Sequence, residues 1–175
     1  MTDLMVDLET LGTGVNSCIL SMGLCAFDTT GEIKAIKHVI VDDPLGTIDK
    51  STVEWWLKQD KAAVACLFDG HAFPLKDALE QFVAFTRAHK CANIWSNGPT
   101  FDEIIMRQAW KRARMVDEFP LRFWASRCVR TVKMIRAKLK LPPLPVPPQY
   151  GIKHNAAHDA ANQALMVIDT LKHVL

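Results

Sequence analysis

The stretch Leu4-Met5-Val6-Asp7-Leu8-Glu9-Thr10 is an apolar run interrupted by two acids, and Gly12-Thr13-Gly14 follows it closely. An apolar run that ends in turn residues predicts a strand entering a loop. Side chains two residues apart on a strand share one face, so Asp7 and Glu9 project together, roughly 7 Å apart. Divalent cations would offset the mutual repulsion of such a pair. The alternative is a solvated strand end that carries two polar side chains.

The chain around this strand alternates between strand and helix patterns. Apolar, β-compatible residues fill 18–27 and 33–41, so the first three strands are predicted to form an antiparallel meander. A fourth strand is predicted at 91–96. Helical patterns begin at Ser51, where Ser51 or Thr52 is a capping candidate, and recur at about 75–89, 100–114, 124–138 and 155–173. This order predicts an α/β domain with a mixed sheet.

Length and composition indicate one domain over residues 1–175, since a chain of this size encloses a single core. The longest apolar stretches are shorter than the roughly 20 residues that cross a bilayer, and the first residues lack a signal-peptide pattern. The five cysteines are scattered and form no C-x-x-C pair, which favours reduced thiols in the core. We therefore expect a cytoplasmic protein with no membrane partner.

The net charge of +2 conceals an uneven distribution. Residues 107–140 contain eleven of the 21 Lys and Arg residues and only two acids, Asp117 and Glu118, for a local charge of +9. The rest of the chain carries −7. A positive segment beside an acidic body suits a polyanion such as nucleic acid. Two helices with solvated basic faces explain the same pattern, and so does a basic surface that forms a homodimer contact.

Two further acids stand at the starts of predicted helices. Asp102 lies in the first turn of one helix, and Asp159 lies near the start of the last one. Acids are favoured at helix N-termini, so each has an ordinary explanation on its own. His154 precedes Asp159 by five residues, and the two can face one substrate only if His154 lies in the loop before the helix. Gly151 and the prolines before it favour that loop.

Three segments together resemble the exonuclease motifs of the DEDDh family, in order and at suitable spacings. They are Asp7-Leu8-Glu9-Thr10, Asn97-Gly98-Pro99-Thr100-Phe101-Asp102 and His154-Asn155-Ala156-Ala157-His158-Asp159. Within that family the sequence is most similar to the bacterial and phage group known as Rv2179c-like 3′–5′ exoribonucleases. Further local matches are Thr52-Val53-Glu54-Trp55-Trp56-Leu57, Trp95-Ser96-Asn97-Gly98 and residues 123–131. Cys128 departs from the group, which commonly has an acid at that position.

The resemblance implies a ribonuclease H-like α/β fold, with a five-stranded mixed sheet flanked by helices on both faces. Only four strands are clear in the sequence itself. The fifth is expected between Arg114 and Pro142, where Arg122-Phe123-Trp124 is too short a β-compatible stretch to place it.

The resemblance also implies a metal-dependent 3′–5′ exonuclease. Such an enzyme removes nucleotides from single-stranded 3′ ends or overhangs of DNA or RNA and releases nucleoside 5′-monophosphates. The implied cofactors are two Mg²⁺ or Mn²⁺ ions, with Asp7 bridging both, Glu9 and Asp159 holding one, and Asp102 holding the other. The motif spacing makes His154 the implied general base in preference to His158.

Proteins that bind single strands stack bases on aromatic or apolar side chains and hold phosphates with cations. Residues near the motifs and in the basic segment are therefore the expected substrate contacts: Leu11, Asn97, Phe101, Trp124, Arg127 and Arg130. Trp95 is an alternative to Trp124, and core packing explains each aromatic residue equally simply. We expect Trp55 and Trp56 to lie in the core.

Three other functions compete with this one. A nuclease that scavenges short oligonucleotides would use the same residues. A non-catalytic nucleic-acid-binding protein could retain the fold, although the intact acids argue against it. A ribonuclease H-like endonuclease is the third, but such enzymes lack the pairing that His154 and Asp159 make.

Overall fold

A computed structural model of the protein describes residues 1–142 and 150–174. Within these residues, no helix is both long enough and apolar enough to cross a membrane. The proline-rich stretch 141–148, which the sequence predicts to be a stiff loop, falls outside the described residues except for Leu141 and Pro142.

Three long strands form the centre of the sheet and confirm the predicted meander. β1 (Thr2–Thr10) pairs antiparallel with β2 (Ile19–Asp28), and β2 pairs antiparallel with β3 (Glu32–Asp42). β2 is buried along nearly its whole length, which agrees with its continuous apolar sequence. The first part of β3 alternates between exposed and partly buried residues, because one of its faces reaches solvent.

Three shorter strands complete a six-stranded mixed sheet in the order β4-β3-β2-β1-β5-β6. β5 (Cys91–Ser96) runs parallel to β1, and β6 (Ser126–Cys128) runs parallel to β5. β6 is thus the strand expected between Arg114 and Pro142. β4 (Ala72–Pro74), parallel to β3 at the other edge, is one strand more than expected. It spans three residues and ends in proline, so its sequence carries almost no periodic signal.

Helices connect these strands. In the described part of the chain they are α1 (Lys50–Trp56), α2 (Lys61–Cys66), α3 (Leu75–Ala88), α4 (Asp102–Arg112), α5 (Val129–Lys138) and α6 (Ala156–Leu171). A 3-10 helix at Phe123–Ala125 precedes β6.

The helices cover both faces of the sheet, as expected for the predicted fold. α3 and α4 pack against one face through apolar side chains such as Phe82 and Met106. α5 and α6 pack against the other face through residues such as Val132 and Val167. β1 contributes to both cores, because successive side chains of a strand point to opposite faces of the sheet. Leu4, Val6 and Leu8 pack in the core with α3 and α4. Met5 packs in the core with α6.

Two helix predictions are wrong at their boundaries. The helix predicted over 124–138 begins at Val129, because Ser126 and its neighbours pair with β5 to form β6. The helical pattern from Ser51 divides into α1 and α2, and neither Ser51 nor Thr52 caps it, because both lie inside α1. Asp49 precedes α1, but its carboxylate accepts the Thr13 N–H at 3.0 Å and makes no cap.

Candidate active site

The first two acids lie on the face of β1 that α6 covers. Asp7 and Glu9 have the same parity as Met5, whose side chain belongs to the core under α6. Glu9 is buried and Asp7 is partly buried. The two carboxylates therefore share one face of the sheet, as the sequence predicts, at the end of the strand nearest the following loop.

Asp102 reaches the same place from the opposite direction. It is the first residue of α4, after the turn in which Gly98 accepts the N–H of Phe101 at 2.8 Å. Its buried carboxylate accepts the Leu8 N–H through Oδ1 at 3.1 Å. This bond ties the start of α4 to the backbone between Asp7 and Glu9, so the position of Asp102 relative to β1 is defined by a hydrogen bond.

The last motif combines a loop residue with the first turn of α6. Asn155 caps the helix by accepting the His158 N–H at 3.1 Å. His154, just before the cap, has a left-handed backbone with φ of 62°, and its N–H donates to Oδ2 of Asp159 at 3.0 Å. His154 thus lies in the loop before the helix, as the sequence requires if it is to share a site with Asp159.

His158 has a different environment from His154. Its Nδ1 accepts the Ile152 N–H at 3.4 Å, and its ring faces Tyr150 with 6.0 Å between ring centroids. It is not among the described residues that line the acidic cavity. His158 instead lies in the first turn of α6, and among the described residues only His154 of the two contributes to the lining of the cavity.

These segments enclose a cavity of about 570 Å³. All five predicted catalytic and metal-binding residues line it: Asp7, Glu9, Asp102, His154 and Asp159. One ligand atom from each of Glu9, His154 and Asp159 lies within 4.8 Å of the other two. Residues from three distant parts of the sequence therefore converge on one site.

The carboxylates are held in an environment that resists their ionisation. Burial, followed by the charges of Asp159 and Asp102, raises the pKa of Glu9 to about 8. Burial raises the pKa of Asp102 to about 7, although hydrogen bonds such as that from Leu8 oppose the shift. Burial and then the charges of Asp102, Glu9 and Asp159 raise the pKa of Asp7 well above its ordinary value. The four carboxylates are thus close enough to repel one another in a cavity that cationic side chains also line.

His154 and Asp159 respond to the same environment in opposite ways. Burial lowers the pKa of His154 below its ordinary value, with the charge of Asp159 opposing that shift. Burial raises the pKa of Asp159, and the N–H and charge of His154 oppose it. A histidine with a lowered pKa is neutral at pH 7, and a neutral imidazole can accept a proton.

Gln163 is a site residue that the sequence analysis missed. Its Nε2 donates to Oδ1 of Asp7 at 2.8 Å, and its Oε1 is buried with no hydrogen-bond partner among the described residues. Gln163 lies four residues after Asp159 on α6, so both side chains point to the same face of that helix. The helical period, continued four residues past Asp159, is the sequence signal that places Gln163 on the face of the acid.

Two lysines and a second pocket also escaped the sequence analysis. Lys133 and Lys153 line the acidic cavity. A neighbouring pocket of about 400 Å³ shares Leu8, Glu9 and Phe101 with that cavity and is further lined by Thr10, Gly12, Thr13, Ser51, Thr52, Trp55 and Trp56. Trp56 is buried, as predicted, but Trp55 is 42% exposed beside the site, so the expectation that it lies in the core is wrong.

The predicted substrate contacts divide into two groups. Asn97, Phe101 and Arg130 line the acidic cavity. The other three are absent from its described lining, and each has a different environment. Leu11 packs beside the buried cluster of Leu20, Trp56 and Leu67, Trp124 is exposed to solvent, and Arg127 donates to the carbonyl oxygens of Trp124 and Ser126. The alternative platform residue, Trp95, is buried, and its Nε1 donates to Asp3 at 2.7 Å.

The basic segment also divides, because several of its cations form ion pairs. Arg107 pairs with Glu103 at 2.7 Å, and Arg112 pairs with the buried Asp43 at 2.6 Å. Arg122 and Arg136 pair with Glu118 and Asp169. Arg130 and Lys133 face the acidic cavity instead. Six of the eleven cations of this segment therefore either form an ion pair or line the acidic cavity.

Comparisons with known proteins agree with this geometry. The chain matches the 3′-5′ exoribonuclease Rv2179c-like domain over residues 2–171. It is 24% identical over 207 aligned positions to an exodeoxyribonuclease of Enterobacteria phage T4, an alignment that covers 100% of this chain and 91% of the phage protein.

Solved structures show the same fold. The nuclease domain of 3′hExo, a DEDDh family member bound to rAMP, is similar with a TM-score of 0.67 and 13% identity, over 98% of this chain and 92% of that one. E. coli exonuclease I in complex with a 5cy-dA13 oligonucleotide has a TM-score of 0.63 and 14% identity, over 98% of this chain and 43% of that one. Because the family match extends over nearly all of its residues, the protein belongs to the Rv2179c-like 3′-5′ exoribonuclease domain family and is a 3′-5′ exonuclease with the ribonuclease H-like fold of the DEDDh enzymes.

Proposed function

We propose that residues 1–175 form one catalytic domain that uses two Mg²⁺ or Mn²⁺ ions to release nucleoside 5′-monophosphates from single-stranded 3′ ends or overhangs of DNA or RNA. The observation that carries this proposal is the convergence of four carboxylates and one imidazole in a single cavity. Burying carboxylates from β1, α4 and α6 next to one another is energetically unfavourable because of desolvation and mutual repulsion. A bound cation would offset that cost.

The residues fit hard divalent cations. Carboxylate oxygens are the ligands that Mg²⁺ and Mn²⁺ prefer. Burial and then mutual repulsion raise the pKa of Asp7 and Glu9, and bound cations would offset the repulsion. The buried Oε1 of Gln163, without a partner among the described residues, can accept a hydrogen bond in the same cavity. When bound, such a pair of ions activates the attacking water and stabilises the leaving oxygen.

The proposed ligand assignment follows the family motif and agrees with the charges. Asp7 would help to hold both ions, as the family motif implies, and it lies close enough to the other three acids for their charges to raise its pKa. Glu9 and Asp159, whose oxygens lie close together, would hold one ion, and Asp102 would hold the other. His154, whose lowered pKa leaves it neutral, would accept the proton of the water.

Substrate would cross from the acidic cavity into the neighbouring pocket. Arg130, Lys133 and Lys153 supply positive charge for phosphates on one side. Phe101 and Trp55 supply flat apolar surface for a terminal nucleoside on the other. Leu11, Trp124 and Arg127 stay proposed contacts for nucleotides further from the 3′ end.

The names of the matching family and of the phage relative refer to different nucleic acids, RNA and DNA. The matching family is named for exoribonucleases, whereas the phage T4 relative is an exodeoxyribonuclease. We propose activity on either nucleic acid, in the cytoplasm, where five unpaired thiols are stable. The basic surface outside the cavity is a candidate for a homodimer contact.

A degradation assay tests the proposal. The protein is incubated with Mg²⁺ or Mn²⁺ and labelled 24-mers of matched DNA and RNA, as single strands, duplexes and 3′ overhangs, and with a dinucleotide and a circular single strand. We expect shortening from the 3′ end, monophosphate products and no cutting of the circle. Activity on the dinucleotide alone would identify a scavenger of short oligonucleotides. No activity on any substrate would leave only a binding protein.

A further inference from the structure

α1 is fastened to the end of the strand that carries the first two acids. Trp56, the last residue of α1, is buried, and its indole N–H donates to the carbonyl oxygen of Thr10 at 2.9 Å. Its side chain packs with Leu20 and Leu67. The position of α1 relative to the acidic cavity is therefore defined by one buried hydrogen bond and its surrounding apolar contacts.

Trp55 extends from this anchored helix toward the catalytic loop. Its ring meets His154 edge to face, with 4.9 Å between ring centroids and 78° between ring planes. Trp56 lies further away, with its ring centroid 6.0 Å from that of His154. Both geometries fall in the range in which aromatic rings attract each other.

Among the described residues, hydrogen bonding fixes the backbone of His154 but not its imidazole ring. The backbone is positioned by its left-handed conformation and by the bond from its N–H to Asp159. The imidazole nitrogens, however, make no hydrogen bond to the described residues. A histidine that acts as a base is usually oriented by a hydrogen bond to its second nitrogen, whereas this ring contacts two indoles.

The same indole also faces the space proposed for the terminal nucleoside. Trp55 lines the 400 Å³ pocket together with Phe101 and Thr52, and that pocket shares Glu9 with the acidic cavity. One side chain therefore contacts the imidazole and bounds the pocket. A molecule bound in this pocket would contact Trp55, which in turn contacts the His154 ring.

We infer that Trp55 is a positioning residue, which holds the His154 imidazole toward the acidic cavity and couples its orientation to occupancy of the neighbouring pocket. This inference rests on the proposed function, in which His154 accepts the proton. Removing the indole leaves the ring of His154 free to rotate away from the attacking water. An aromatic contact of this type changes a population about two- to tenfold, so kcat should fall by up to that factor.

Kinetics and NMR together test the inference on the full-length protein with Mg²⁺. The variants are Trp55→Ala, Trp55→Phe and, as a matched control, Phe68→Ala, which removes an exposed aromatic ring at a position outside both pockets. Single-strand degradation gives kcat and KM. Histidine ring spectra of labelled protein, with the His154 signal assigned through His154→Gln, report the indole contact through its ring-current shift.

We expect Trp55→Ala to lower kcat and to move the His154 ring signal, Trp55→Phe to restore most of both, and Phe68→Ala to change neither. A Trp55→Ala protein with raised KM, unchanged kcat and an unmoved His154 signal would overturn the positioning role and leave Trp55 as a pocket wall. An inactive wild-type protein would defeat the proposed function itself. The spectra distinguish that case, since they detect the contact without catalysis.

Discussion

The carbonyl oxygen of Ala156 lies 1.9 Å from the position that a Cβ atom on Gly23 would occupy. Gly23 stands directly opposite Asp7 in the antiparallel pairing of β1 and β2. The missing side chain lets the first residue of α6 approach the sheet beside Asp7. This close approach brings Asp159, three residues later, to the carboxylates of β1, so a glycine with no chemistry of its own shapes the site.

We therefore predict that Gly23→Ala impairs both folding and activity. A Cβ atom there must displace backbone, which places the destabilisation at or above the upper end of about 1–3 kcal/mol for overpacking. Each kcal/mol lowers the melting temperature by about 2–4 °C in a chain of this size. Gly14→Ala is the matched control, since its new Cβ would lie 4.0 Å from the nearest atom, Ser17 Oγ. A stable and fully active Gly23→Ala protein would contradict the account of the close approach.

The acids should be needed for catalysis but not for folding. We expect Asp7→Asn, Asp102→Asn and Asp159→Asn each to lower kcat by roughly a hundredfold or more, because each removes a ligand charge where the transition state needs it. The metal-free variants should melt at or above the wild-type temperature, because repulsion within the cavity falls. Steady-state kinetics and thermal melts in chelator measure the two effects. Near-native turnover by one variant would remove that residue from the proposed metal site.

Without metal, the protein should lose stability as the pH rises. The pKa of Glu9 is raised from 4.5 to about 8, so the folded protein binds its proton more tightly than the unfolded chain does. Stability then falls with rising pH across that interval and levels off above it. Urea unfolding at several pH values in chelator measures the slope. Glu9→Gln should reduce the slope, and an equal slope in both proteins would mean that Glu9 is not the group responsible.

Mg²⁺ or Mn²⁺ should stabilise the folded protein as well as activate it. A ligand that binds only the folded state adds about 2.7 kcal/mol at a concentration of 100 times its Kd, which corresponds to a rise of roughly 5–10 °C in melting temperature. Chelator should reverse the rise and abolish degradation. Asp7→Asn, which lacks the proposed bridging ligand, should show a smaller rise. Full activity in chelator would refute the metal dependence.

Cations that line the cavity should account for part of the salt dependence of binding. We expect Arg130→Gln and Lys133→Gln to raise KM and each to lower the salt slope of single-strand binding by about 1, with kcat at saturation changed much less. Arg114→Gln removes the same charge from an exposed position outside the cavity and is the control. Binding is measured at several salt concentrations on an inactive Asp102→Asn background. An unchanged slope in both variants would mean that this edge does not hold the strand.

Arg127 provides a second comparison within the same segment. Its guanidinium donates to two backbone carbonyl oxygens, so it is less available to phosphates than Arg130. If it nevertheless contacts the strand, as proposed, Arg127→Gln should lower the salt slope too. A change in sedimentation in place of a change in affinity would identify the basic surface as a homodimer contact.

Local sequence patterns determined most of the fold. Alternation in β1 placed Asp7 and Glu9 on one face, and turn and cap residues placed His154 before a helix and Asp159 within its first turn. These features depend on residues close together in the chain, where strand and helix periods apply. The family motifs then related the three segments, and residues of all three line one cavity in the structure.

Only the tertiary structure decided which other residues reach that cavity. The positions of α1, α6 and the loop before α6 relative to β1 bring Gln163, Lys153 and Trp55 beside the site. Such packing between distant elements leaves no periodic pattern in the sequence. The same reason explains why Arg112 pairs with the buried Asp43 while Arg130 remains at the cavity. Charge and periodicity are alike for both arginines in the sequence. The element against which each helix packs determines which arginine forms a buried ion pair and which lines the cavity.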